Sequence, residues 1–401
     1  MPSWSIFRLL ITGERSFEVL ELPDYQVCSY CIMDTTDFEI TFDGYGTCRY
    51  CTSAEETLRN KSFQLKESPD KLLELISEMK LSPGNEGFHG IIGVSGGADS
   101  SYLVHALNKS GLKLLAVHVD AGWNSIEAVR NIHRLVSTLD LELETLIINW
   151  EEMKDLQLSY LKSGVINQDV PQDHVIFSSL FKLAQKFRIK YIISGSNLAT
   201  ESILPESWGQ DAMDGLQLKA IHRRYGRKKL NSYPITLLST FYFHNYLKED
   251  IKFVSPLNLM EYSKQDAIEV LRKEYNWEDY GGKHKESRFT DFFQEIYLKD
   301  RFGIEKKRAH LSSLIVNGEI SRIEAINILS NSQVSDLSKI NQIQFIATKL
   351  GISSQELIAF MKMPFVPDEI FQNQRYLRKI LKVALGVKGL LAKPRLWISR
   401  T

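Results

Sequence analysis

The hexapeptide Ser95-Gly96-Gly97-Ala98-Asp99-Ser100 sits directly behind the apolar run Ile91-Ile92-Gly93-Val94, and a strand feeding a glycine loop in this way suits the binding of phosphate. Glycine reaches backbone conformations closed to other residues and leaves the main chain open to a phosphate oxygen. Consecutive N–H groups of such a loop point into one concavity, and residues 99–107 read as a helix whose positive end faces the same spot. Ser95 and Ser100 add hydroxyl donors. Asp99 is a poor neighbour for bare phosphate, so its partner is either a phosphate-bound Mg²⁺ or the loop's own amides, as a helix cap. The alternative is a plain strand-to-helix turn with glycines for tightness. The G-x-x-x-x-G-K-[ST] signature is absent, which argues against γ-phosphoryl transfer by that route.

A second chemistry lies upstream. All four cysteines fall into one pattern, Cys28-x₂-Cys31 and, after sixteen intervening residues, Cys48-x₂-Cys51. This is the two-knuckle spacing of a tetrahedral thiolate zinc site, with Asp43-Gly44 and Gly46 suiting a ribbon hairpin between the knuckles. Disulfides and an iron–sulfur centre are the competing readings. A closed four-cysteine site has no open position for substrate, so the expected role is structural.

Further candidates follow apolar strand-like runs. Asp120 precedes Ala121-Gly122-Trp123-Asn124, where a small residue would let adenine lie on the backbone; capping the next helix is the competing role. Ser194-Gly195-Ser196-Asn197, with Thr200 and Glu201, could close over a nucleotide or hold Mg²⁺ through Glu201. In Gln172-Asp173-His174, Asp173 is either a helix cap or a site residue, and His174 either a passenger or a ligand contact. In Gly281-Gly282-Lys283-His284-Lys285-Glu286-Ser287-Arg288 the glycines permit close approach, while Lys283 and Arg288 could neutralise phosphate. The run His222-Arg223-Arg224-Tyr225-Gly226-Arg227-Lys228-Lys229 reads as a mobile surface loop able to grip a diphosphate.

These residues need a scaffold, and 401 residues allow two domains with an appendage. Strands at 112–119, 144–148 and 191–194 alternate with helices at 125–138 and 175–187. With the loop-bearing strand they predict a doubly wound parallel α/β sheet, whose ligands bind at the carboxyl ends of the strands, beside Asp120, Asn149, Gly195 and Asn197. Residues 61–81 read as a helix, and helix formers dominate after residue 263. The expected division is 1–60 (an N-terminal hairpin around Thr12-Gly13-Glu14-Arg15, then the zinc ribbon), 61–260 (nucleotide domain) and 261–401 (helical domain with a basic tail from Gln374, read first as a solvated helix face with a frayed end and alternatively as a dock for an acidic partner or an anionic membrane surface). Lysine plus arginine balance aspartate plus glutamate at 49 each, which gives no encouragement to nucleic-acid binding. No run approaches the roughly 18 apolar residues of a membrane span, and Arg8 interrupts the apolar start, so no transmembrane segment and a cytoplasmic location are expected.

The hexapeptide resembles the pyrophosphate loop, SGGxDS, of the N-type ATP pyrophosphatases. Together with the cysteine pairs, residues 194–201, residues 281–289 and Lys307-Arg308-Ala309-His310-Leu311-Ser312, it resembles the N-acetyl sugar amidotransferases of the WbpG and PseA type. That resemblance implies ATP as cosubstrate with Mg²⁺ and structural Zn²⁺, and conversion of the acetamido group of a nucleotide-linked N-acetyl sugar to an acetamidino group for bacterial surface-polysaccharide (lipopolysaccharide O-antigen) or nonulosonic-acid synthesis. It implies nucleotide contacts from Val94, Ser95, Gly96, Gly97, Asp99, Ser100, Asp120, Gly195, Asn197 and Glu201. Asp99, Ser100, Lys283 and Arg288 would be catalytic, and Asp173, His174, His284, Glu286 and Ser287 would meet the substrate. A class I glutaminase needs a nucleophilic thiolate, and all four cysteines are committed to metal. The resemblance implies that ammonia comes from a separate glutaminase subunit (HisH-like) with a cyclase-like scaffold subunit (HisF-like). Two other readings compete: a tRNA-thiolating enzyme with the same loop and ribbon, and a zinc-ribbon binding module on an inactive nucleotide fold.

Overall fold

The computed structural model describes residues 24–67, 70–208, 212–280, 285–332 and 334–380. The expected hairpin around Thr12-Gly13, the stretch from Gly281 to His284 and the tail beyond residue 380 lie outside them.

Five strands form one parallel sheet in the order β3-β2-β1-β4-β5: β1 Gly90–Gly93, β2 Leu114–Asp120, β3 Glu142–Ile147, β4 Tyr191–Ile193 and β5 Lys252–Val254. Four of these match the expected strands within a few residues. β5 was not anticipated, because a three-residue strand carries no legible period.

Alternation explains why the central strands are apolar throughout. Ile91, Leu115, Val117 and Ile192 enter one buried cluster, while Ile92, Leu114, Ala116 and Ile193 enter the other. Both faces of β1, β2 and β4 are therefore covered, as a parallel sheet requires. Helices Ala98–Asn108, Ile126–Leu139 and Lys264–Tyr275 pack on one face; Trp150–Ser163 and Val170–Phe187 contribute to the other. The last of these starts five residues earlier than its expected 175, with Pro171 in its first turn, where a missing N–H does no harm. Asn149 caps the helix Trp150–Ser163 through the N–H groups of Glu151 and Glu152. The expected helix 61–81 is two helices, Arg49–Glu67 and Lys71–Lys80.

After the sheet the chain is helical, including Lys306–Val316, Arg322–Asn331, Asp336–Leu350 and Ser354–Met361. The cysteine knuckles are bonded onto this region. Arg308 donates to the carbonyl of Ile32 at 2.8 Å and pairs with Asp34. Arg322 donates to the carbonyls of Cys31 and Cys28 at 3.0 and 3.1 Å, and the Ile32 N–H reaches Ser312 Oγ at 3.3 Å.

Candidate functional site

The sheet's direction of growth reverses between β1 and β4, the place where open α/β sheets leave a ligand crevice. The loops after these two strands meet there. A Cβ on Gly195 would lie 3.0 Å from Ser100 N and 3.1 Å from its Cα, so any other residue would push the two loops apart by a few tenths of an ångström. On the other side Gly96 takes φ +81°, and a Cβ there would be 2.4 Å from the Ala128 carbonyl oxygen. Its own carbonyl is held by Trp277 Nε1 at 3.0 Å. Ser95 Oγ accepts from Gly97 N–H at 3.3 Å and stands 3.3 Å from Ser100 Oγ. The helix Ala98–Asn108 starts here with no side-chain cap, leaving its positive end open to an anion. Asp99 is thus not the cap. Its carboxylate instead accepts from the buried hydroxyl of Tyr262.

This loop opens into a cavity of about 450 Å³. Of the expected residues, Val94, Ser95, Gly97, Asp99, Ser100, Gly195, Glu201, Asp173, Glu286 and Ser287 line it. So do residues the sequence reading had not singled out: Asp169, Lys306, Tyr280 and Thr290. His310, known beforehand only as part of the 307–312 segment, lines it too. Lys306 and His310 stand one turn apart on the helix whose Arg308 and Ser312 grip the cysteine knuckle. That helix joins the metal site to the cavity.

Asp169 and Asp173 form the most perturbed part of the wall. Both carboxyls are pushed up, to about 8 and about 6, chiefly by burial. Repulsion from Asp173 adds to the rise at Asp169, and Lys306 opposes it at both. Thr290 Oγ1 and Gln172 Nε2 each donate to Asp169 Oδ1 at 3.2 Å, and Gln172 accepts from Ser287 Oγ at 2.8 Å.

Other expectations are corrected. His174 does not line the cavity: it is wholly buried, with Nδ1 at 2.6 Å from the Ala212 carbonyl and Nε2 bonded by Thr236 N–H and Ser178, and burial lowers it to about 4. Asp120 turns back to accept from Gly122 N–H at 2.8 Å, and Ser125 caps the next helix. Asn197 caps its own short helix through Thr200 N–H and is 3% exposed. Arg288 is exposed and stacks on Phe345, 4.8 Å from the ring centroid, outside the cavity wall. Lys283 and His284 lie outside the described residues. The basic run 222–229 is tied down: buried Asp155 accepts from the N–H groups of Arg227 and Lys228 and from His222.

The four cysteines are buried and carry no disulfide. Their sulfurs are 3.6 to 3.8 Å apart across three pairs and all within 4.8 Å of one another. Metal–sulfur bonds of about 2.3 Å in a tetrahedron demand sulfur separations of about 3.8 Å. The N–H groups of Cys31 and Cys48 point at Cys28 Sγ, and that of Met33 at Cys31 Sγ. The set fits one tetrahedrally held ion.

A five-stranded parallel sheet with a glycine-rich loop and a helix start after its first strand is the open α/β arrangement that leaves a ligand crevice at the switch point. Residues 286–384 match the family model "LPS biosynthesis protein WbpG-like, C-terminal domain". No curated protein matches the chain. Among solved structures, the NMN synthetase of Francisella tularensis has a TM-score of 0.34 at 16% identity, covering 75% of this chain and 98% of that one. The U34-tRNA thiolase NcsA of Methanococcus maripaludis, with its [4Fe-4S] cluster, gives 0.30 at 16%, with 66% and 83% covered. The NH3-dependent NAD synthetase of Campylobacter jejuni subsp. jejuni gives 0.28 at 16%, with 53% and 93% covered. No helix among the described residues is long and apolar enough to cross a membrane.

Proposed function

We propose that this chain is an ATP-dependent amidotransferase that adenylates the acetamido oxygen of an N-acetyl sugar and replaces it with ammonia-derived nitrogen, forming AMP, pyrophosphate and an acetamidino sugar. One observation carries the reading. The phosphate loop of the sheet domain and the segment matching the WbpG-like C-terminal domain face one cavity, the latter through Glu286, Ser287, Thr290, Lys306 and His310.

The chemistry suits the residues. An amide carbonyl is resonance-stabilised and its oxygen leaves poorly. Transfer of AMP to that oxygen makes it a leaving group. The uncapped helix end, with Ser95 and Ser100, would take the departing pyrophosphate. Asp99 and Glu201 offer the hard oxygens that Mg²⁺ prefers, and a bound Mg²⁺ would offset phosphate charge there. Water reaching the activated carbon would only regenerate the amide, so the buried walls have to exclude it. Zn²⁺ is the ion we assign to the cysteines; its role is to brace the helix Lys306–Val316.

Ammonia would come from a glutaminase partner with a cyclase-like scaffold, because a free pool is mostly protonated at neutral pH. The setting is cytoplasmic synthesis of a surface polysaccharide or a nonulosonic acid. A tRNA thiolase is disfavoured, since all four cysteines of the sequence lie in the one group able to hold a metal, which leaves none spare for sulfur transfer.

The test is incubation with ATP, ammonium and a panel of UDP- and CMP-linked N-acetyl sugars. Sugar-dependent AMP and pyrophosphate, with the mass loss of NH replacing O in the sugar, are expected. ATP consumption that ignores every sugar would overturn the reading.

A further inference from the structure

When ammonia adds to an adenylated carbonyl, the adduct carries –NH₃⁺, and in that state nitrogen leaves at least as readily as AMP. A base must take one proton to make the new C–N bond hold. The cavity contains several carboxylates, but most are engaged: Asp99 by Tyr262, Glu286 by Tyr280, and Asp169 by Thr290 and Gln172. Asp173 is the exception. It lines the cavity, and among the described residues no hydrogen-bond donor meets its carboxylate.

We propose that Asp173 is the general base of the nitrogen-transfer step, a catalytic residue in contact with the attacking nitrogen, and that Asp169, fixed in the same wall by Thr290 and Gln172, is a positioning residue beside it. The assignment rests on the amidotransferase reading. The nitrogen lone pair forms the C–N bond, Asp173 accepts one proton from the adduct, the freed lone pair breaks the C–O bond to expel AMP, and the proton leaves Asp173 for solvent. The product is an amidinium cation, which the remaining negative charge of the pair also favours.

The electrostatics fit this division of labour. Burial raises both carboxyls, and repulsion from Asp173 adds to the rise at Asp169 alone, so Asp169 is pushed up to about 8 and Asp173 to about 6, and Asp173 is the one that ionises first. A base with its proton affinity near the working pH is the most effective kind. Other titratable groups face the pair. Lys306 comes from the helix Lys306–Val316, whose His310 lines the same cavity, and Tyr233, whose hydroxyl bonds the Pro171 carbonyl, comes from the segment packed on the helix start. Lys306 stabilises the ionised form of both carboxyls. Two acids raised by burial oppose folding as the pH rises, so their presence is better explained by chemistry than by stability.

The experiment uses the whole protein, a sugar that supports pyrophosphate–ATP exchange in the wild type, and two nucleophiles. Asp173→Asn is expected to keep exchange within a few-fold, because adenylation does not need this base. Its ammonium-dependent turnover should fall on the order of 10²–10⁴-fold. Hydroxylamine, whose conjugate acid gives up its proton far more readily, should react within a few-fold of the wild type. Expressed per free NH₃ present at each pH, the wild-type rate should show a further decline below about pH 6, the Asp173 value, and the variant should lack that added limb. Equal losses with both nucleophiles, loss of exchange, or unimpaired ammonium turnover would each overturn the assignment. If Asp173→Asn is insoluble, Asp173→Glu decides. Ammonium turnover that falls more than hydroxylamine turnover supports the base, and equal losses with both nucleophiles contradict it. A wild type that shows no exchange with any sugar removes the underlying reading, and this assignment with it, before any variant is compared.

Discussion

The two ends of the cavity wall are built on different plans. At the phosphate loop, recognition belongs to the backbone: Gly96 at positive φ, Gly195 against Ser100, and an uncapped helix end. Where Asp169, Asp173, Lys306 and His310 gather, it belongs to side chains brought from two helices more than a hundred residues apart. A backbone site tolerates no added atom and is insensitive to pH. A side-chain site tolerates conservative exchange and titrates.

Substitutions in the loop should therefore have the largest effects. Gly96→Ala forces a Cβ to 2.4 Å from a backbone oxygen at a left-handed position, where the conformation alone costs about 1–2 kcal/mol. Sugar-dependent pyrophosphate release should vanish, with a lowered melting temperature; a fully active variant would mean that the loop backbone does not hold phosphate. Asp99→Ala should abolish AMP formation while leaving the melting temperature within a few degrees. Retained AMP formation would remove Asp99 from the site.

Cys48→Ser probes the bridge between the metal and the side-chain end. Metal content should fall first, and hydrogen exchange should then rise in the helix Lys306–Val316, which hangs on the knuckle through Arg308 and Ser312. Unchanged protection there would separate the metal from the cavity. His174→Ala should leave the Ala212 carbonyl and Thr236 N–H unpaired, costing about 1–3 kcal/mol for each group. Its native proton affinity is depressed, to about 4 from an ordinary 6.5, so its contribution to stability is full above about pH 6.5 and is lost as the pH falls toward 4. Melting curves across that range, wild type against variant, check the sign. Arg288→Ala should do least, because the side chain lies on Phe345 outside the cavity. Turnover should be unchanged and stability within about 0.5 kcal/mol. A large loss of turnover would restore Arg288 to the reaction.

This contrast also explains what the amino-acid string disclosed. Ser95 to Ser100 are contiguous and follow an apolar strand, so both the loop and the parallel sheet behind it were readable; the paired C-x₂-C spacing exposed the cysteine cluster in the same way. Tyr262 carries no local mark of its bond to Asp99, 163 positions earlier. Asp169 and Asp173 did leave a trace: two acids one helical turn apart amid Val170, Pro171 and Val175 are costly to bury without a purpose. His174 and Asn197 look polar and site-like in one dimension, but three dimensions bond them to the backbone. Lys306 and His310 alternate with Arg308 and Ser312 on one helix, a spacing that held a two-faced role without saying what either face would meet.

The account stands most directly on where one oxygen atom goes. A sugar with heavy oxygen in its acetamido carbonyl, turned over with ATP and ammonium, should deliver the label to AMP and none to pyrophosphate. Unlabelled AMP, or ADP as the nucleotide product, would contradict the account.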